Sequence, residues 1–315
     1  RNKSVSILKG MTEAYKGTNV KLNYAQGCTI TESSPASIAQ AVSAARLSDV
    51  VLVAVGEDFN WSGEAACRSD IRLPEAQRQL LKALKETGKP IALIVLSGRP
   101  LDLSWEDSQF DAILQAWFPG REGGHGIADV ISGEYNPSGR LVMSFPRNVG
   151  QIPIYYNHKN TGRPVDPAHP DVDYKSSFLD VSTTPLYPFG YGLSYTTYAI
   201  GNAKIDKSTM KSKNDKITVS ATVENTGPMD GEMVVQLYVR DLVGSVTRPV
   251  KELKGFRKVA LKAGESKPIT FELSSEDLAF YGIDMKKKTE PGEFKVWVAQ
   301  HSADNSNELS FSVTE

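Results

Sequence analysis

Two spacings of apolar residues divide the chain. Up to about residue 146, short apolar runs alternate with stretches in which apolar side chains recur every three or four positions, the pattern of parallel strands joined by helices. Residues 4–17 (SVSILKGMTEAYKG) read as an amphipathic helix ending at Gly17, and 19–27 (NVKLNYAQG) as a short strand. A helix opened by Ser34-Pro35 follows, then the buried strand 49–56 (DVVLVAVG). Pro74 starts a helix that Gly88 ends. PIALIVLSG (90–98) and AILQAWFPG (112–120) read as further buried strands, and HGIADVISG (125–133) as a helix closed by Gly133. The first element is a helix, whereas a doubly wound unit normally opens on a strand, so the expectation is a domain lacking its first strand.

Beyond residue 200 apolar and polar positions alternate and turn residues recur: KITVSATVENTG, EMVVQLYVRD, KELKGFRKVALKAGE, PITFELSS, GEFKVWVAQ, NELSFSVTE. Such a succession of strands predicts a β-sandwich of immunoglobulin or fibronectin type III style. No cysteine falls in this half, which excludes an immunoglobulin disulfide. Between the two patterns lies a tract rich in Pro, Tyr and Asn, which reads as functional or interdomain. The predicted organisation is an α/β sandwich domain, a mostly parallel sheet with flanking helices, over 1–146; an irregular interdomain tract over 147–198; and a β-sandwich over 199–315.

Composition removes several function classes. In 315 residues, 36 Lys and Arg stand against 37 Asp and Glu, a formal net charge of -1 that draws the chain toward neither nucleic acid nor anionic lipid. No apolar run approaches the roughly 20 residues of a membrane span, and the first residues lack the apolar core of a signal peptide. Cys28 and Cys67 can make one disulfide at most and have no metal-ligand spacing.

The stretch 56–73 holds the candidate chemistry. It leaves the end of a buried strand, where open α/β sheets bind ligands, and carries Glu57, Asp58, Glu64 and Asp70 with Trp61 and Arg68. A carboxylic acid that must donate a proton at neutral pH needs partial desolvation or a negative neighbour, and an acidic loop with an aromatic ring suits sugar chemistry. The same residues also fit a solvated loop in which Asp70 caps the next helix or pairs with Arg68.

Longer motifs decide between these readings. GEDFNWSGEAACRSDIRLPEAQRQLL (56–81), LSGRPLDLSWE (96–106), the run 117–164 that opens WFPGREGGHGIADV, and LYPFGYGLSYTTY (186–198), in that order, resemble the C-terminal half of glycoside hydrolase family 3. RPVKELKGFRKVALKAGE and PGEFKVWVA resemble the fibronectin type III-like domain that ends many of its members. The resemblance implies an exo-acting, retaining β-glucosidase, periplasmic or secreted, acting on β-glucosides or β-linked oligosaccharides without a cofactor or metal. It implies a nucleophilic aspartate on an N-terminal TIM barrel, which nothing in this chain matches, and a general acid/base glutamate on a loop of the α/β domain.

Carried over by motif, that glutamate is Glu64 in SGEAACR, with Arg68 and Asp70 behind it and Glu57, nearer the strand end, as the rival. Trp61 either lines an aglycone site or packs the loop down. The chain would then hold half a catalytic pair and be inactive alone. A non-catalytic scaffold or carbohydrate-contacting module, and a β-xylosidase, are the alternative readings.

Other residues have bland readings beside the sharp ones. Glu122, His125 and Asp129 could suggest a metal, but a turn into a helix N-terminus explains the glycines among them. Tyr155 and Tyr156 belong to the connecting tract, YPFGYGLSYTTY to a packing and turning segment, and 241–250 (DLVGSVTRPV) to an extended loop or solvated hairpin. Cys67 as a nucleophile has no base placed beside it by sequence.

Overall fold

The computed structural model describes residues 4–165 and 174–315, so 166–173, part of the predicted interdomain tract, lies outside the described residues. Two units are distinguished: residues 1–135 with 145–152, and 136–144 with 153–315. This division differs from the sequence boundaries, because 136–144 and most of the connecting tract pack with the second unit. Asn136 shows why: its Oδ1 accepts from Ser194 Oγ and Tyr195 N at 2.7 and 2.8 Å, and its Nδ2 donates to Asp230 O at 2.9 Å.

The first unit is built on a parallel sheet in the order β1-β2-β3, with β1 Val51–Gly56, β2 Ile91–Leu96 and β3 Ala112–Gln115. Val51 pairs with Ile91 and Gly56 with Leu96, and Leu93, Ile94 and Val95 are almost fully buried. Five helices accompany it: α1 Ile7–Ala14, α2 Pro35–Arg46, α3 Glu75–Lys85, α4 Ser104–Gln109 and α5 Gly123–Ser132. Ser6 caps α1 and shortens it relative to the sequence reading. Ser34 and Ser37 form a reciprocal cap on α2 with Pro35 in its first turn. On α3, Ala76, Leu80, Leu81 and Leu84 form one buried stripe. Burying a side chain such as Leu81 stabilises by about 2 kcal/mol.

One expectation was not met. The stretch 19–27 joins no sheet; Val20, Leu22 and Tyr24 stay exposed, and Asn23 Nδ2 anchors the segment on Ser48 Oγ at 3.0 Å. Alternation favours extension, but only a facing strand makes a ladder. The glycines near His125 also serve helix packing: a Cβ on Gly124 would lie 2.2 Å from Ser6 O, and one on Gly10 2.1 Å from Gly124 O. Close approach of α1 and α5 requires both.

The second unit is an antiparallel-rich sandwich. One sheet has the order β5-β13-β12-β7-β8 (Thr209–Lys211, Glu308–Thr314, Gly292–Ala299, Gly231–Asp241, Glu252–Leu261), the other β4-β6-β9 (Tyr198–Ile205, Lys216–Asn225, Ser266–Ser274). A short hairpin pairs β10 Phe280–Tyr281 with β11 Lys287–Lys288. Alternate residues of β6, β7, β9 and β12, among them Val219, Val235, Phe271 and Val296, meet in one core. On the other face of this sheet, Tyr238 of β7 and Trp297 of β12 are covered by Tyr156 and Phe189 of the connecting tract. Tyr156 stacks on Phe189 at 4.3 Å, and its hydroxyl accepts from Leu253 N at 3.3 Å.

Candidate active site

The loop after β1 starts from a strained strand end. Gly56 has φ +141°, and a Cβ there would lie 1.8 Å from Leu96 O, so only glycine fits. Buried Gln77 on α3 holds this point: its Oε1 accepts from Gly56 N at 2.8 Å and its Nε2 donates to Gly56 O at 2.9 Å. Glu57 N extends the ladder by one bond to Leu96 O, 2.8 Å.

Glu57 then turns inward. Its side chain is wholly buried, with Oε1 accepting from Arg68 Nη1 at 2.7 Å and Oε2 from Arg99 Nε at 3.2 Å. A buried carboxylate persists only when its charge is compensated, and two guanidinium groups do this. Arg99 spends its other donors on the loop backbone, bonding Trp61 O and, at 3.0 Å, Ala66 O. Arg68 lies over the Trp61 ring, 4.9 Å from its centroid.

Within this frame the loop folds by local rules. Asp58 Oδ1 accepts from Asn60 N at 2.9 Å and opens a single helical turn, Phe59–Trp61. Ala66 N then donates to Gly63 O at 3.2 Å, and Ala65 takes φ +58°, closing a tight turn with Glu64 at its second position. Glu64 is exposed and has no ion-pair partner among the described residues. Asn60, Trp61, Ala65, Ala66, Cys67 and Arg68 line a cavity of about 280 Å³ beside it.

Asp70 is placed otherwise than either reading of it supposed. It does not pair with Arg68 and does not cap α3, whose N-cap is Pro74 without a side-chain bond. Its carboxylate holds Arg72 through Nη2 at 2.6 Å and the Arg72 backbone N at 3.0 Å. The Arg72 hydrogen bonds hold the Asp70 carboxyl well below the usual carboxylate range. The pair brings the chain back to the sheet, where Arg72 bridges to Asp102 and Ile71 and Leu73 are buried.

Arg99, which sequence reasoning missed, lies 42 residues from Glu57; the only signal was its place in GRP after a buried strand. Glu122 and His125 do come together, but their third partner is Glu13 and not Asp129: His125 Nδ1 is 2.8 Å from Glu122 and Nε2 2.6 Å from Glu13. Among the described residues no cluster of three metal-ligating side chains is suited to a metal ion. Both cysteines are free. The loop 241–250 is pinned rather than a free hairpin, with Arg248 4.0 Å from the Phe280 ring centroid and Ser245 N donating to Glu290 at 2.8 Å.

Comparison with known proteins identifies the family to which these elements belong. Residues 1–195 match the glycosyl hydrolase family 3 C-terminal domain. The chain belongs to glycosyl hydrolase family 3. A fibronectin type III-like domain matches residues 233–302. Among family 3 relatives, the chain is 46% identical to the periplasmic beta-glucosidase of Salmonella typhimurium over 96% of its own length and 42% of that protein's. It is 40% identical to a beta-xylosidase of Formosa agariphila, covering 98% of this chain and 42% of the other. The crystal structure of a beta-glucosidase from Listeria innocua in complex with gluconolactone superposes with a TM-score of 0.92 at 39% identity, over all of this chain and 42% of that one. The chain therefore spans less than half the length of these family 3 relatives. Among the described residues no helix is long and apolar enough to cross a membrane.

Proposed function

We propose that the chain is the C-terminal portion of a retaining, exo-acting β-glucosidase that removes terminal non-reducing β-D-glucosyl residues. In this reading Glu64 is the general acid/base, the nucleophile lies on an N-terminal TIM barrel outside the chain, and the enzyme works in the periplasm or outside the cell without a cofactor. The observation that carries it is the contrast between two carboxylates of one loop. Glu57 is buried and ion-paired on both oxygens, whereas Glu64 is exposed in a turn and has no ion pair among the described residues. Of the two glutamates, Glu64 is the one open to solvent, and this supports the reading.

The chemistry follows from that placement. Glu64 protonates the glycosidic oxygen as the aglycone leaves, and its carboxylate then takes the proton of the water that hydrolyses the glycosyl-enzyme. Retention needs the two carboxyl groups roughly 5–5.5 Å apart, so the loop must be delivered to the barrel with sub-ångström tolerance. A proton donor at neutral pH needs partial desolvation, which the sugar and the facing domain would supply. Trp61, beside the cavity, is the candidate aglycone contact.

The similarity to beta-xylosidases favours a second reading in which the terminal sugar is xylose, since the sugar would be held mainly by the barrel. One set of assays separates the readings. The chain alone and the chain joined to its barrel are offered aryl β-glucoside and aryl β-xyloside, each with Glu64→Gln as control. Silence from the chain alone and turnover of the glucoside by the joined protein are expected. Turnover by the chain alone that vanished in the control would defeat the split site. In the joined protein, Glu64→Ala should spare good leaving groups, slow natural glucosides, and yield a β-glycosyl azide when azide is added.

A further inference from the structure

Glu57 pairs with both arginines that brace the loop. Its two oxygens hold two arginines that approach from different parts of the sequence. Arg68 closes the C-terminal arm and covers Trp61; Arg99, from the loop after β2, ties Trp61 O, before the turn 63–66, and Ala66 O, at its end. Gly98 makes room for this, since a Cβ there would lie 2.3 Å from Ser62 Oγ. The turn itself has little else to hold it: one 3.2 Å backbone bond spans it, and a Cβ on Gly63 would meet nothing within 4 Å. Backbone torsions alone therefore do not fix where Glu64 points.

We infer that Glu57 is a positioning residue, acting through Arg68 and Arg99 to set the place of the Glu64 carboxyl. The inference rests on the proposed role of Glu64. Without the Glu57 charge the two guanidinium groups repel at close range, the Arg99 fork loses its alignment on Trp61 O and Ala66 O, and the turn swings. An acid displaced by about 1 Å costs on the order of 10²-fold in rate, and the loss falls on the step that needs the proton. Substrate affinity, set elsewhere, is spared.

The test uses Glu57→Gln in the barrel-containing protein, with Arg68→Gln, a partly exposed side chain, as the second variant should Glu57→Gln not fold. Expected is a fall of roughly 10²-fold in kcat on glucosides with poor leaving groups with little change in KM, and near-normal kcat/KM on activated aryl glucosides, whose first step needs no proton. Azide should give no rescue, because the Glu64 carboxylate remains to repel it, and this distinguishes a displaced acid from Glu64→Ala. Amide hydrogen exchange should accelerate across 58–68 by more than the rise in α3 and β2 that the lower stability of the unit brings. Equal losses on all leaving groups, or exchange in 58–68 that rises no more than in α3 and β2, would overturn the inference. Should Glu64→Ala itself show no dependence on leaving group, the reading of Glu64 fails, and hydrogen exchange in Glu57→Gln still decides whether the brace sets the turn.

Discussion

Arg68 reaches back eleven residues to Glu57, Nη1 to Oε1 at 2.7 Å, and closes the loop that carries Glu64 into a ring. Removing the Glu57 charge leaves two guanidinium groups, 20% and 21% exposed, without their carboxylate, which should cost about 3 kcal/mol, the low end for a buried pair. Glu57→Gln should accordingly lower the Tm of the first unit by roughly 10 °C in calorimetry. Asp70→Asn, at an exposed pair with Arg72, should cost no more than about 1 kcal/mol. Equal effects of the two substitutions would show that burial does not govern the Glu57 network.

The strand end and the turn make opposite demands on a methyl group. Gly56→Ala would drive a Cβ to 1.8 Å from Leu96 O, a backbone atom with no room to retreat, and should cost several kcal/mol, more than about 3. Ala65 sits at φ +58°, where a Cβ costs about 1 kcal/mol, so Ala65→Gly should leave stability unchanged or raise it by up to ~1 kcal/mol. Urea denaturation of both variants checks the pair, and a destabilising Ala65→Gly would contradict the strain assigned to the turn.

His125 carries a pH dependence whose sign can be worked out. Hydrogen bonds to Glu13 and then Glu122 raise its pKa, so its contribution is fully present below roughly pH 6.5 and is lost as pH rises through the raised folded value. The hydrogen bond to His125 lowers Glu13, so that contribution is present above roughly pH 4.3 and is lost as pH falls through the depressed folded value. Packing of α1 on α5 should be tightest in the window where both are charged, about pH 5–6.5. Hydrogen exchange of α1 amides against pH reads this out, and His125→Gln should flatten the profile. A profile that the substitution leaves unchanged would remove the histidine from the account.

Lys251 gives the second unit a slope of the opposite kind. Its Nζ donates to Ser302 O and Asp304 O at 3.0 Å and to Asn305 Oδ1 at 2.8 Å, and it faces the Trp297 ring at 4.4 Å. These contacts favour the ammonium, but burial outweighs them and brings its pKa down to about 8. A free lysine titrates near 10.4, so between these values the unfolded chain binds the extra proton and stability rises with pH. Lys251→Met should abolish that rise in unfolding measured from pH 8 to 10. A slope that persists would mean the three acceptors hold the amine charged.

How much of this was legible depends on how local each cause is. Helices α2 and α3 and strands β1 and β2 announce themselves through caps and spacing, such as Ser34-Pro35 and the stripe Leu80, Leu81, Leu84. The six residues of α4, SWEDSQ, are too few to show a period. The segment holding Val20, Leu22 and Tyr24 alternates like a strand but lacks a neighbour to pair with. At the candidate site, the loop and its carboxylates could be read from the sequence. The link from Glu57 to Arg99 could not, because it crosses between the ends of two adjacent parallel strands and leaves no spacing behind. The Asp70–Arg72 pair was within reach, since an aspartate bonding the backbone two residues on is a local turn rule.

Strand β1 leaves an edge that should govern behaviour in solution. It lies at one end of the sheet order, and among the described residues nothing pairs with its outer side. Ala54 on this strand is exposed, and Leu47 and Val50 just before it are 80% and 56% exposed. An open apolar edge is a template for another strand, and a lysine on it is the usual block. The chain should therefore self-associate at micromolar concentration, and Ala54→Lys should return it toward a monomer without loss of helical signal. Light scattering of the two proteins decides. A monodisperse parent, unchanged by the substitution, would show that the exposed segment holding Val20, Leu22 and Tyr24 already shields the edge in solution.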